Sequence, residues 1–325
     1  MLIVIVCCLS ILTILRNQVW CSEVALWKDA AEKSPYKPRT YVNLGAAYNK
    51  RGELELALKS YDRVLELQPN SVEALNNRAN IYLSRGQIDK ALTDANKAIS
   101  IRPQYAEVYV TRGTVYSYQN NFDAALKDYN QAIGIDPQFA AAYQNRGTLL
   151  RNLKQYPAAL DDFSKAIELD PRDADSYDGR GLVYKAQRDY VLALEDYTQA
   201  IKLDPRRART YNNRGVVFKE LGKYDQAASD YSRALAIDPQ FTAAYNNRGN
   251  VLKIIGQYDQ AILDYSRAIS LNPVLAEAYF NRAIALSAKK EYPAALKDMG
   301  AALGLGFQNA SVYIEKLKEI ISQSQ

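Results

Sequence analysis

The sequence predicts an all-α chain: a right-handed superhelical solenoid of stacked helix–turn–helix hairpins, preceded by an N-terminal hydrophobic helix. Three observations carry this. Proline recurs in steps of 34 residues, at Pro35, Pro69, Pro103, Pro137, Pro171, Pro205, Pro239 and Pro273, without insertion or deletion. Within each period, packing residues fall at helical spacing on two faces. Tyr245, Gly249 and Leu252 share one; Tyr258, Ala261, Tyr265 and Ala268 share the other, after a turn containing Gly256. A hairpin of that size cannot bury its apolar face alone, so each copy is the neighbour that the previous copy needs.

Residues 1–19 begin "MLIVIVCCLSILTIL", 15 uncharged residues followed by Arg16. A spanning helix needs about 20 apolar residues. A signal peptide wants a basic start and a small-residue cleavage site, and neither is present. Three readings stay open: a short membrane anchor, the last span of a longer protein, and a buried helix. Residues 20–36 read as an incomplete repeat, with Trp27 and Ala30 at the aromatic and alanine places.

Residues 37–308 hold eight 34-residue units. Tyr41, Tyr109, Tyr143, Tyr177, Tyr211, Tyr245 and Tyr279 open seven of them, and Leu75 opens the other. Four residues on comes Gly or Ala; twelve further on comes an alanine without exception, from Ala57 to Ala295. The second helix carries Asp (Asp89, Asp123, Asp225, Asp259) or Pro (Pro157, Pro293) in its first turn. Asp suits the exposed amides and the dipole there, and Pro suits the fixed φ and missing donor. Residues 309–325 read as a solvating cap helix, with Val312, Leu317, Ile320 and Ile321 inward and Glu315, Lys316 and Lys318 outward.

This pattern over residues 37–308 resembles the tetratricopeptide repeat family. The family usually has leucine just before the Gly/Ala, and Leu44 obeys. The next seven units have Arg78, Arg112, Arg146, Arg180, Arg214, Arg248 and Arg282 instead. Sixteen residues after each stands Asp94, Asp128, Asp162, Asp196, Asp230, Asp264 or Asp298, whereas the unit with Leu44 has Ser60. Joint presence and joint absence assign these residues to the scaffold, as ion pairs joining helices or adjacent units.

Composition narrows the chemistry. The net charge of +5 is spread through the chain, and the aromatics occupy packing places, so no nucleic-acid partner is expected. The chain has no histidine, and its three cysteines (Cys7, Cys8, Cys21) lie near the start. Histidine-based catalysis and histidine metal sites are excluded. No catalytic residue, metal ligand or cofactor is expected.

Such solenoids bind along the wall made by their first helices. Two residues before the Gly/Ala stand Asn43, Asn77, Asn145, Asn213, Asn247 and Asn281, a row broken by Thr111 and Gly179. It resembles the asparagine ladder in the repeat domain of nucleocytoplasmic N-acetylglucosaminyl transferases. A carboxamide both donates and accepts, so it can hold a peptide main chain; the competing reading is that these asparagines cap or cross-link helices. Four residues after the Gly/Ala run Arg151, Lys185, Lys219 and Lys253, either a stripe for an acidic segment or a solvated face. The lysine that Hsp70/Hsp90-binding members carry three residues before the Gly/Ala is absent, which speaks against a carboxylate clamp.

The stretch from Ile14 to Tyr48 is similar to the junction in membrane proteins that join a multi-span glycosyltransferase-like domain to tetratricopeptide repeats. In those relatives the repeats lie outside the cytoplasm. The leading expectation is therefore a membrane-tethered scaffold that binds extended protein segments without catalysis of its own. The resemblance implies extracytoplasmic repeats, whereas Arg16 and Lys28 after an uncharged start would keep them inside, so both sides stay open. The alternative is the substrate-recruiting repeat domain of a membrane glycosyltransferase whose catalytic part is not in this chain.

Overall fold

Each 34-residue period folds as two antiparallel helices, and the packing residues explain why. In this computed structural model residues 21–323 are described; the hydrophobic segment 1–19, read as an anchor, lies outside them. The chain divides between Leu169 and Asp170 into two compact units. Unit one contains α1 (Glu23–Lys33) and four hairpins: α2 (Pro38–Lys50) with α3 (Leu54–Leu67), α4 (Val72–Ser84) with α5 (Ile88–Ile101), α6 (Ala106–Tyr118) with α7 (Phe122–Ile135), and α8 (Ala140–Asn152) with α9 (Tyr156–Leu169). Unit two contains α10 (Ala174–Gln187) with α11 (Tyr190–Leu203), α12 (Ala208–Glu220) with α13 (Tyr224–Ile237), α14 (Thr242–Ile254) with α15 (Tyr258–Leu271), α16 (Ala276–Ala288) with α17 (Tyr292–Gly304), and α18 (Ala310–Gln323). All described elements are helices. The all-α hairpin architecture read from the sequence is what forms.

The eight invariant alanines, Ala57 to Ala295, are fully buried, so nothing larger fits between paired helices. Opposite the Gly place, Tyr61, Tyr129, Phe163, Tyr197, Tyr231 and Tyr265 fill the interior with at most 2% of their surface exposed. The turn between the helices needs a left-handed residue. Gly52, Gly86, Gly222 and Gly256 supply it in four hairpins, and Asn120, Lys154, Arg188 and Lys290 adopt the same positive φ in the other four. The periodic proline ends the second helix, and the residue before it closes the bend. Asp136, Asp170, Asp204, Asp238 and Asn272 each accept the backbone N–H two residues on, at 2.9–3.2 Å. These are Asx turns.

Within each unit, every second helix packs on the next first helix, and successive first helices also touch. The first-helix side is therefore the tighter, inner side of each stack.

Two details differ from the sequence reading. In α1 it is Ala31 that is buried, at 5% exposure, while Ala30 is half-buried. Among the described residues α1 packs chiefly on α2, and that neighbour sets its rotation. In α18, Leu317 is buried as expected, together with Ala310, but Val312 is 59% and Ile320 40% exposed. Phe307 and Tyr313 pack against Phe280, and this aromatic cluster sets the helix's seating.

Candidate protein-interaction surface

The arginine row belongs to the frame that positions this surface. Each arginine sits on a first helix and grips the aspartate of its own second helix with two bonds. Arg214 donates from Nε to Asp230 Oδ2 and from Nη2 to Asp230 Oδ1, both at 2.8 Å. The same fork recurs at Arg78–Asp94, Arg112–Asp128, Arg146–Asp162, Arg180–Asp196, Arg248–Asp264 and Arg282–Asp298. The third nitrogen reaches the preceding hairpin: Arg78 to Asp62, Arg112 to Asn96, Arg146 to Asn130, Arg214 to Thr198, Arg248 to Ser232 and Arg282 to Ser266. Each of these arginines thus ties helix to helix and repeat to repeat. Arg214 also stacks between Tyr211 and Phe218, each ring centre 5.7 Å away. The hydrogen bonds that Arg214 donates to Asp230 push its guanidinium above even the ordinary arginine value. Where the pair is missing, Leu44 is buried and Ser60 bonds to its own backbone, at Leu56 O.

The inner face carries both predicted rows. In unit one, Asn43 is half-buried on α2, and Asn77 on α4 neighbours Tyr61, whose phenol burial pushes up to about 12. Asn145 donates to Ala141 O on its own helix at 2.8 Å. Arg151, at the end of α8, donates to Asn152 at 3.1 Å. Thr111, which breaks the row, is buried, and its hydroxyl lies 2.7 Å from Asn76 Oδ1, joining α6 to α4.

In unit two the rows meet. Asn247 donates to Asn212 Oδ1 at 2.9 Å, bridging α14 and α12. Burial pushes the Asp178 carboxyl on α10 up, and the neighbouring Thr210 and Asn213 of α12 oppose this. Lys253 donates to Asn281 Oδ1 at 2.9 Å, and burial lowers its ammonium pKa while Glu277 counters. Asn281 and Asn246 both turn an amide toward Glu277. Lys219 lies 3.1 Å from Glu220, and Lys185 is half-buried and also engaged. Several of these asparagines therefore cross-link neighbouring first helices while keeping part of their hydrogen-bonding capacity for the surface. Sequence reading missed the second row one residue earlier (Asn76, Asn212, Asn246), which supplies the bridging partners. The doublets "NN" at 76–77, 212–213 and 246–247 were the available signal.

Among the described residues, no group of three or more Cys, Asp or Glu is placed to hold a metal ion. No described helix is long and apolar enough to cross a membrane.

Fold and surface define a helical-hairpin scaffold of the kind used for protein–protein interaction. Tetratricopeptide repeat models match residues 36–104, 71–138, 140–173, 208–241 and 242–273, and a TPR repeat model matches 186–222. This chain belongs to the tetratricopeptide repeat family. Among solved structures it resembles the APC/C hetero-tetramer Cut9–Hcn1, at 18% identity and a TM-score of 0.68, over 88% of this chain and 56% of that one. It thus spans little more than half that protein's length. It is also similar to Pseudomonas aeruginosa pilF (20% identity, TM-score 0.59, 64% of this chain and 94% of that). A tetratricopeptide repeat protein from Parabacteroides merdae matches at 21% identity and a TM-score of 0.54, over 77% of this chain and 98% of that. At these identities the likeness concerns the fold. No match was found among curated proteins.

Proposed function

We propose that this protein holds extended peptide segments along its first-helix face, the main chain against the asparagines and acidic side chains near Arg151, Lys185, Lys219 and Lys253. The observation that supports this reading is the carboxamide network of unit two. Asn212, Asn247 and Asn281 are held in place by side-chain bonds to neighbouring first helices, so little rotamer entropy remains to be lost on binding. The cations act mainly on association rate and salt dependence.

Changing all four cations to Ser leaves helicity intact, weakens binding to an acidic peptide library and flattens its salt dependence. Changing Asn213 and Asn247 to Ala weakens all bound peptides alike. Recovery of the same partners at the same salt by the four-Ser protein sinks the acidic preference. Loss of nothing with the asparagine pair sinks the groove.

We further propose a membrane tether through residues 1–19, on the strength of their apolar sequence. Full-length protein is then expected to sediment with membranes and resist carbonate extraction. A wholly soluble full-length protein rules the tether out.

A further inference from the structure

The inner face of unit one holds a cleft of ≈ 380 Å³ between α6 and α8 whose chemistry differs from that of the cationic row. Its walls are Thr114, Ser117 and Tyr118 from α6 and Asn145, Thr148 and Asn152 from α8. Leu149 and Tyr129, each 2% exposed, form its floor. No lining residue carries a charge. The contrast is with the cleft of ≈ 460 Å³ beside α15, which contains the Arg248–Asp264 pair.

The hydrogen bonds already made define what the cleft has left to offer. Thr114 Oγ1 donates to Val110 O at 2.9 Å and lies 3.2 Å from the Tyr129 hydroxyl. Thr148 Oγ1 donates to Gln144 O at 2.9 Å. Asn145 uses one amide proton on Ala141 O, which leaves its Oδ1 as an acceptor. Asn152 Oδ1 accepts from Arg151 at 3.1 Å, a bond that leaves both amide protons of Asn152 unspent. The Ser117 hydroxyl can serve in either sense. Tyr118, 67% exposed, stands at the mouth with its ring in solvent.

We infer that this cleft takes one neutral, carboxamide-bearing side chain of the bound segment, glutamine or asparagine. The inference rests on the peptide-binding reading above. A primary amide donates to Asn145 Oδ1 and accepts from Asn152 and Ser117, so every group finds its complement. An ammonium enters without a counter-ion in the lining and is disfavoured by its desolvation; a carboxylate has no proton to give Asn145 Oδ1, and Arg151 beside the cleft already has its Nη2 bonded to Asn152 Oδ1. A leucine covers the same polar atoms and leaves them unpaired. The Tyr118 ring covers the methylene stem of the entering side chain, a contact that favours glutamine over the shorter residues.

The test uses the full chain and 12-residue peptides selected on it from a random library. Each position of a selected peptide is replaced in turn by Gln, Glu, Lys and Leu, and affinity is read by fluorescence anisotropy. One position is expected to prefer Gln over Leu by about tenfold, and over Glu or Lys by at least as much. Asn152→Asp, an isosteric change at an exposed residue that removes the amide donor beside Arg151, is expected to abolish that position's preference for Gln and leave other positions alone. Tyr118→Ala is expected to weaken the Gln peptide a few-fold without changing helicity. If no peptide binds, the peptide-binding reading fails and this inference falls with it. If peptides bind but no position prefers a neutral amide, or Asn152→Asp leaves the preference unchanged, the inference alone is overturned. Occupation of the cleft by a neutral oligosaccharide, with no position-specific peptide preference, likewise overturns it.

Discussion

Replacing either Arg214 or Asp230 by Ala is expected to cost about 3 kcal/mol, and replacing both is expected to cost clearly less than the sum. The reason is burial. Asp230 is only 6% exposed, and its oxygens are gripped by two guanidinium nitrogens at 2.8 Å. Removing Arg214 strands a carboxylate among packed side chains, frees the Thr198 hydroxyl of the preceding hairpin, and takes the cation from between Tyr211 and Phe218. Removing Asp230 instead strands a cation that keeps the Thr198 contact and its two aromatic faces. The arginine change is therefore expected to be the worse of the two. Removing both leaves a smaller, neutral defect. Urea midpoints of the four proteins measure the coupling; strict additivity would show that the pair is not a unit. Because Arg214 also bonds to the neighbouring hairpin, its loss should loosen α11–α12 contact and raise amide exchange in α11, a readout that a pair confined to one hairpin would not move.

The second large effect is expected at the Gly places. A Cβ on Gly249 meets Tyr265 ring carbons at 2.7 and 3.0 Å, and Tyr265 is fully buried and hydrogen-bonded to Asn250. The ring cannot yield cheaply. Gly249→Ala is expected to destabilise by about 1–2 kcal/mol, because overpacking outweighs the ~1 kcal/mol that alanine gains in helix propensity. Gly147 is the contrast: its nearest neighbours are Asp162 Cβ at 3.2 Å and a Phe163 ring carbon at 3.4 Å. There the same change is expected to be near neutral. Equal melting shifts for the two variants would show that the ring contact does not set the residue. Ala79 and Ala283 agree with this account, since the residues sixteen places on are Ala95 and Met299 rather than aromatic rings.

Much of this molecule was legible in its sequence, for a physical reason. A repeated hairpin makes the same short-range contacts in every copy, so each packing requirement is written many times in one chain. The 34-residue period, the buried alanines, the aromatic fill and the paired Arg and Asp could all be read by comparing the chain with itself. The family followed from the same positions. The ends were harder to read: α1 and α18 have neighbours unlike those of the interior hairpins, so Ala31, Val312 and Ile320 depart from the repeated pattern.

The surface was legible as residue types but not as an arrangement. Nothing in the spacing of Asn247 and Lys253 says that one reaches back to Asn212 and the other forward to Asn281. Those bonds run between helices about one repeat apart and depend on how successive first helices pack. The same holds for the cleft. Ser117, Tyr118, Asn145 and Asn152 are unremarkable along the chain, and only the packing of α6 on α8 gathers them around one cavity. The sequence by itself determined the hairpin, its period and its interior, because those are set by contacts within one copy and its nearest neighbour. The tertiary structure decided which polar groups of the first-helix face are spent on the frame and which keep hydrogen-bonding capacity, because hydrogen bonds need ångström-level placement that periodicity does not encode.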